Sequence, residues 1–184
     1  MYKRQIDTQV EIRDDDDNPL PIGEVGQICA KGPQIMKGYW NKDKESQKAL
    51  KGGWMHTGDA GRMDEEGFVF IQDRIKDMIV SGGENIYSTE VEAALFAHPD
   101  VIDAAVIGVP DEKYGEVVKA CIVKKEGSKI NEEDLINFCK DRIASYKKPQ
   151  SIDFIDEVPR NASGKVLKKV LRESYWKDQD RQVS

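Results

Sequence analysis

The chain has 184 residues, enough for one or two small domains, with 39% hydrophobic and 34% charged residues and a net charge of −6. An acidic balance argues against a nucleic-acid partner. No apolar run approaches the ~20 residues of a membrane-spanning helix, and the polar start does not resemble a signal peptide. We therefore expect a cytoplasmic globular protein, for which only peripheral contact with a membrane stays open.

Cysteine, histidine and aspartate are placed in ways that do not suggest a metal site. The cysteines Cys29, Cys121 and Cys139 are isolated, and only two histidines accompany them. We interpret the cysteines as reduced core residues. The run of four aspartates at 14–17 lacks the spacing that lets carboxylates converge on one ion, so we interpret it as a solvated turn.

The first 71 residues predict a small β subdomain. Apolar and β-branched segments alternate with turns rich in Gly, Pro and Asp. Strands are predicted at 6–12, 23–31, 54–57 and 68–71, and a short helix at 41–51 that ends at a glycine pair.

After residue 76 the pattern changes to alternating helices and strands. A hairpin is predicted from 78–81 and 85–87, and strands at 101–109, 116–123 and 152–155. Helices are predicted from Ser88, with Thr89 and Glu92 as a capping box, from a cap at Asn131, and over 166–176. The whole chain is thus predicted as α+β: a small β-rich subdomain followed by a compact α+β domain.

One stretch, DRIKDMIVSGGENIY at 73–87, combines charge, an apolar segment and a glycine turn. Alone it is typical of a charged connector and a hairpin, in which glycine allows close approach of a ligand to the backbone. Two further motifs frame it: GWMHTGD at 53–59 and PRNASGKVL at 159–167. A fourth, GEVGQI at 23–28 followed by GYW at 38–40, precedes them.

These four motifs, in this order over residues 23–176, resemble the late motifs of the adenylate-forming enzymes, which include acyl-CoA synthetases, peptide-synthetase adenylation domains and luciferases. The Ser/Thr/Gly-rich phosphate loop of that family is absent. The resemblance therefore implies the C-terminal portion of a fatty-acyl-CoA ligase, inactive in adenylation by itself. Its implied parts are the end of the N-terminal domain at 6–76, the C-terminal domain at 77–176 and a tail at 177–184.

Residues 1–5, MYKRQ, can be back-translated to the end of a widely used transposon sequencing adapter. We expect this start to be non-native, with the native chain entering at about Ile6.

The implied reaction joins a carboxylate, expected to be a fatty acid, to ATP with release of pyrophosphate, and then transfers the acyl group to coenzyme A with release of AMP. Such chemistry needs aligned anions and neutralised charge rather than a protein nucleophile. By resemblance Asp59 and Arg74 bind the ribose or phosphate of ATP or AMP, Lys165 is the catalytic cation, and Lys76 is the hinge. From the residues alone, Asp59 could equally cap a turn, Arg74 could pair with Asp73 or Asp77, and Lys165 could be a surface lysine.

Other residues correspond to coenzyme A contacts in acyl- and aryl-CoA ligases: Gly82, Gly83, Glu84, Tyr114, Tyr146, Lys147 and Lys148. The glycines leave room for the pantetheine arm, and lysines suit phosphates. Tyr114 and the run 146–148 could also be ordinary surface residues. Magnesium is expected to be held mainly outside this part of the sequence.

A basic cluster near the end of the chain admits two readings, a solvated helix face or a phosphate site. It comprises Arg160, Lys165, Lys168, Lys169 and Arg172. Two alternatives to the CoA ligase also stay open: an enzyme that loads a carrier protein, and a nucleotide-binding module without catalysis.

Overall fold

The computed structural model describes residues 2–3 and 6–177, with side chains from residue 6. The chain forms two compact units, Met1–Ile75 and Lys76–Ser184. Most of the expected non-native start at 1–5 and of the expected tail at 177–184 lies outside the described residues. The α+β fold class predicted from the sequence is confirmed.

The first unit is a five-stranded antiparallel sheet in the order β1-β5-β4-β3-β2. Its strands are β1 Tyr2–Lys3, β2 Gln9–Arg13, β3 Gly26–Lys31, β4 Met55–Met63 and β5 Phe68–Arg74. Helix α1, Asp43–Ala49, and a 3₁₀ turn, Lys51–Gly53, connect β3 to β4. Ile12, Ile28 and Val69 form its core. Strands β4 and β5 both extend beyond their predicted ends, so Asp59 lies inside a strand and not at its end.

The second unit packs three helices around another five-stranded sheet, in which β10 runs parallel to β9 and the other pairs are antiparallel. The strands are β6 Ile79–Ser81, β7 Glu84–Ile86, β8 Val101–Asp111, β9 Gly115–Lys124 and β10 Ser151–Phe154. The helices are α2 Ser88–Phe96, α3 Glu132–Lys140 and α4 Lys168–Glu173. Fully buried side chains from strands and helices, including Ile79, Ile86, Leu95, Ile122 and Leu135, form one core.

One predicted helix cap is confirmed and another is wrong. Asn131 accepts a hydrogen bond from the backbone N–H of Asp134, whose side chain accepts the N–H of Asn131 in return. The structure places the cap of α2 at Tyr87, whose side chain makes no capping hydrogen bond, and Glu92 accepts the backbone N–H of Val106 in β8 at 2.8 Å. Helix α4 spans six residues instead of the predicted eleven.

Candidate functional site

Asp59 and Arg74 face each other on neighbouring strands of the first unit. They are direct partners in the register of β4 and β5, and Arg74 Nε lies 2.9 Å from Asp59 Oδ1. Arg74 pairs with neither of the two other candidates, since Asp73 accepts its backbone N–H and Asp77 pairs with Arg172. The structure thus brings together the two side chains that the sequence analysis assigned to a nucleotide.

The Asp59–Arg74 pair is partly exposed to solvent. The Nε atom of Arg74 is shielded from solvent but makes no aligned hydrogen bond, so its contact with Asp59 is a charge contact. The side chains of Arg74 and Asp59 stay 39% and 30% exposed. A carboxylate beside a guanidinium offers acceptors and donors at one place, which suits a vicinal diol or a phosphate.

Local backbone structure fixes Asp59. Thr57 Oγ1 accepts the backbone N–H of Asp59 at 3.1 Å and donates to the carbonyl of Ile28 at 2.8 Å, which ties this part of β4 to β3. Gly58 adopts a φ of 76°, a conformation that side chains rarely tolerate. The order Thr57-Gly58-Asp59 therefore has a structural basis in this strand.

Lys76 lies in a 3₁₀ turn, Ile75–Asp77, at the boundary of the two units. Its side chain is exposed. On the C-terminal side, Arg172 of α4 donates to the Lys76 carbonyl at 3.3 Å and pairs with the buried Asp77 at 3.1 Å. The second unit therefore anchors the chain immediately after the predicted hinge. The hinge itself stays a prediction.

Lys165 is exposed at the end of a tight turn that follows Arg160. Asn161 Oδ1 accepts the backbone N–H groups of Ser163 and Lys165 at 3.0 and 2.9 Å and the Ser163 hydroxyl at 2.8 Å. Gly164 has a φ of 81°. The turn is therefore closed by its own hydrogen bonds, which gives Asn161 a structural role that the sequence motifs did not reveal.

Three of the five basic residues near the end of the chain are committed to carboxylates. Arg160 contacts Asp103 at 2.8 Å, Lys168 contacts Glu92 at 2.7 Å, and Arg172 contacts Asp77 at 3.1 Å. Lys168 is buried, so it belongs neither to a solvated helix face nor to an open phosphate site. Within residues 6–177, Lys165 and Lys169 are the members of the cluster that stay exposed without a carboxylate partner.

Four of the predicted coenzyme A contacts meet at the β6–β7 hairpin. Gly82 and Gly83 form its tip with φ values of 59° and 87°, and Glu84 follows in β7. The backbone N–H of Gly82 donates to the Tyr114 carbonyl at 2.9 Å, and a Cβ at Gly82 would lie 3.1 Å from the Tyr114 ring. Glycine therefore allows the tyrosine ring to lie against the hairpin backbone.

The remaining predicted contacts lie in the segment after α3. Lys147 donates to both carboxylate oxygens of Glu90, at 2.9 and 2.7 Å, and this hydrogen bonding raises the pKa of Lys147. Tyr146 is 51% exposed and Lys148 is half-buried. Within the described residues no hydrogen bond or ion pair joins this segment to Gly82 or Tyr114. Because Lys147 is paired with Glu90, Lys148 is the lysine of this segment that is more available to a ligand.

The described residues offer no metal site. No three His, Cys, Asp or Glu side chains converge within residues 6–177. The described residues do not fit a magnesium ion. The three cysteines are buried and unpaired, and burial raises the pKa of each thiol to about 11. Among the described helices, none has the length and apolar character that crossing a membrane requires.

Comparison with known families agrees with the motifs. The family described as AMP-binding enzyme C-terminal domain matches residues 90–165, and the family described as AMP-binding enzyme matches residues 4–40. The chain belongs to the AMP-binding, or adenylate-forming, enzymes and carries their C-terminal domain.

Two curated relatives differ in the thiol that their names specify. A long-chain-fatty-acid–CoA ligase of Escherichia coli is 45% identical over 90% of this chain and 29% of its own length. The fatty acid–[acyl-carrier-protein] ligase ScoC of Streptomyces coeruleorubidus is 45% identical over 95% of this chain and 34% of its own.

A solved structure shares the fold. ATP-bound MatB from Rhodopseudomonas palustris superposes with a TM-score of 0.88 at 37% identity, covering 94% of this chain and 35% of MatB. The chain therefore spans about a third of the length of the relatives it matches.

Proposed function

We propose that this chain supplies a nucleotide-binding pair of strands and the catalytic lysine of an AMP-forming ligase that joins a fatty acid to coenzyme A. In the first half-reaction a carboxylate oxygen attacks the α-phosphorus of ATP and pyrophosphate leaves. In the second, a thiol attacks the acyl carbon and AMP leaves. The observation that carries the proposal is the Asp59–Arg74 pair, opposite each other on β4 and β5 with both side chains partly exposed to solvent.

The strand pair is suited to hold the nucleoside part of ATP and AMP. The Asp59 carboxylate can accept hydrogen bonds from two adjacent ribose hydroxyls. The Arg74 guanidinium can donate to a ribose oxygen or to the phosphate while it neutralises Asp59. Because Thr57 fixes the backbone of β4, the Asp59 site is preorganised before the nucleotide binds.

Lys165 is suited to the charge that develops during adenylation. Its ammonium is exposed at the end of a closed turn, and no described residue neutralises it. A single preorganised cation next to attacking and phosphate oxygens typically accelerates a reaction by about 10²–10³. The second half-reaction needs no such cation, since AMP is already a formed leaving group.

The second half-reaction would use another face of the second unit. Bare backbone at Gly82 and Gly83, with Tyr114 against it, suits an extended pantetheine arm. Lys148, and Tyr146 beside it, could contact the nucleotide end of coenzyme A, with Lys147 held by Glu90. Rotation at Lys76 would exchange the Lys165 turn for the Gly82 hairpin, because a few backbone angles can absorb such a motion.

A carrier-protein thiol is the second candidate acceptor, and it is favoured by the likeness to ScoC. A nucleotide-binding module without catalysis is the third possibility. The three readings differ in a measurable way: turnover with coenzyme A, turnover only with an acyl carrier protein, or AMP binding without turnover.

A chimera tests the proposal. This chain replaces the 166-residue segment that it matches in the Escherichia coli ligase, and pyrophosphate exchange with a fatty acid is measured together with acyl transfer from synthetic acyl-AMP to either thiol. We expect exchange, and transfer to coenzyme A. Lys165→Ala should lower exchange about 10²–10³-fold and spare transfer.

Lys169→Ala removes the same charge four residues further on from another exposed position and is the matched control. It should change neither step more than about twofold. Equal effects of the two substitutions, or an equal loss of both half-reactions in Lys165→Ala, would refute the role of Lys165. A chimera that binds AMP but catalyses neither step would favour the binding module. Since the acyl pocket comes from the host, the experiment tests the chemistry and not the acyl preference.

A further inference from the structure

The turn that carries Lys165 has the same hydrogen bonds as an ordinary β-hairpin turn elsewhere in the chain. Between β4 and β5, Asp64 Oδ1 accepts the N–H groups of Glu66 and Phe68 at 3.1 and 2.8 Å, and Gly67 has a φ of 78°. The Lys165 turn repeats this arrangement: Asn161 Oδ1 accepts the N–H groups of Ser163 and Lys165 at 3.0 and 2.9 Å, and Gly164 has a φ of 81°.

The backbone bonds of the two turns also correspond. The backbone N–H of Asp64 donates to the Phe68 carbonyl at 3.0 Å, and the Asp64 carbonyl accepts the N–H of Gly67 at 3.0 Å. In the other turn the N–H of Asn161 donates to the Lys165 carbonyl, and the Asn161 carbonyl accepts the N–H of Gly164, at 2.9 Å each. Both are type I turns followed by a glycine in the left-handed conformation, a common hairpin connection. Lys165 thus occupies the position that Phe68 takes at the start of β5.

A second set of contacts attaches this turn to the central sheet. Arg160 Nη1 donates to the Gly164 carbonyl at 3.0 Å, and its Nη2 lies 2.9 and 2.8 Å from the two carboxylate oxygens of Asp103. Asp103 belongs to β8, where its Oδ1 also accepts the backbone N–H of Ala104 at 2.9 Å. A charge-assisted bridge therefore runs from the longest strand of the second unit to the residue before Lys165.

We propose that Asn161 and Arg160 are positioning residues for Lys165. Asn161 fixes the backbone of the turn, and Arg160 fixes the turn on β8, so that only the lysine side chain has freedom. The catalytic consequence rests on the proposed function, whereas the order of the turn does not.

Amide hydrogen exchange on the 184-residue chain tests the order of the turn. Asn161→Ala should speed exchange at the Ser163 and Lys165 amides at least about tenfold, because both lose their acceptor. Asn161→Asp keeps an oxygen in place and should restore exchange to near the original rate. The matched control Asp64→Ala should speed exchange at Glu66 and Phe68 and leave Lys165 unchanged. A Lys165 amide that exchanges equally fast with and without Asn161 would overturn the proposal.

Kinetics of the chimera then separate positioning from a general loss of structure. Asn161→Ala should lower the rate of pyrophosphate exchange about tenfold, with the KM for ATP within about twofold and acyl transfer from acyl-AMP unchanged. Asn161→Asp should recover most of the rate, and Asp64→Ala should alter neither step. Faster amide exchange without any loss of adenylation would overturn the positioning role. If Lys165→Ala itself had no effect, the proposed function would fail while the exchange experiment still decided the order of the turn.

Discussion

Replacing Lys168 by methionine should destabilise the second unit by about 2–3 kcal/mol. Lys168 Nζ lies 2.7 Å from Glu92 Oε1 and donates to the Ser88 hydroxyl, and the two charged side chains are only 10% and 17% exposed. Loss of one partner of a buried ion pair typically costs about 3–5 kcal/mol. The cost is lower here because Glu92 keeps its hydrogen bond from Val106 at 2.8 Å and some access to water.

Native-state hydrogen exchange is the appropriate measurement, because it reports the second unit separately from the first. Protection of the buried β9 amides should fall about 30- to 160-fold, at 1.36 kcal/mol for each factor of ten. Lys169→Met is the control, since Lys169 is exposed and next in sequence; it should stay within about 0.5 kcal/mol. Combining Lys168→Met with Glu92→Gln, which keeps an acceptor for Val106, should cost less than the sum of the two single changes.

A loss below about 0.5 kcal/mol for Lys168→Met, or one no larger than that of Lys169→Met, would refute the reasoning. Lys168 would then behave as a lysine on a solvated helix face, which is one of the two alternatives that the sequence alone allowed. Additive effects of the Lys168 and Glu92 substitutions would show that the two charges do not interact in solution.

Two further predictions concern the same unit. Gly108→Ala should lower the stability of the second unit by about 1–3 kcal/mol in urea unfolding, since the new Cβ would lie 2.3 Å from an oxygen of the fully buried Glu116. A milder loss of stability when Gly108→Ala is made in a Glu116→Ala background would identify that clash. Equal losses in the wild-type and Glu116→Ala backgrounds would exclude it. Burial raises the pKa of Asp153, but hydrogen bonds from Lys119 and Tyr175 outweigh it and hold that pKa below its ordinary value. Its ionised form therefore stabilises the fold above about pH 4, and this contribution disappears as pH falls through the depressed pKa; the gap in thermal midpoint between the wild type and Asp153→Asn should be largest at neutral pH and close in acid, and a gap that widens in acid would contradict the assignment.

Local pattern was sufficient where an element is decided by its own residues. Strands β8 and β9 were predictable because both are rich in β-branched and apolar residues. The start of α3 was predictable because Asn131 is a typical N-cap residue and the acidic Asp134 follows three positions later. The sequence related Asp59 to Arg74 only through the resemblance of their motifs, because the predicted strands ended at 57 and 71; the two residues are partners in the structure because β4 and β5 extend further.

Local pattern failed where a side chain had a distant partner. Glu92 fits a capping box by spacing, yet it serves β8 and Lys168, which no window of a few residues could reveal. For the same reason the basic cluster looked more solvated than it is, and Lys147 looked free although Glu90 holds it. The turn at Lys165 could have been recognised, because N-x-x-G there repeats the D-x-x-G of the hairpin at 64–67.

The contacts that complete the second unit have a consequence for its synthesis. Lys168 reaches Ser88, Arg172 reaches Lys76, and Trp176 reaches the Gly108 carbonyl, across 80, 96 and 68 residues of chain. At about 5–20 residues per second, a ribosome needs about 3–10 s to pass from Lys124, the end of β9, to Trp176. During that time the residues of β8 and β9 are already made, but α4 is not yet complete. The nascent chain therefore presents apolar strands to chaperones during this interval, and the unit closes only after α4 has left the ribosome.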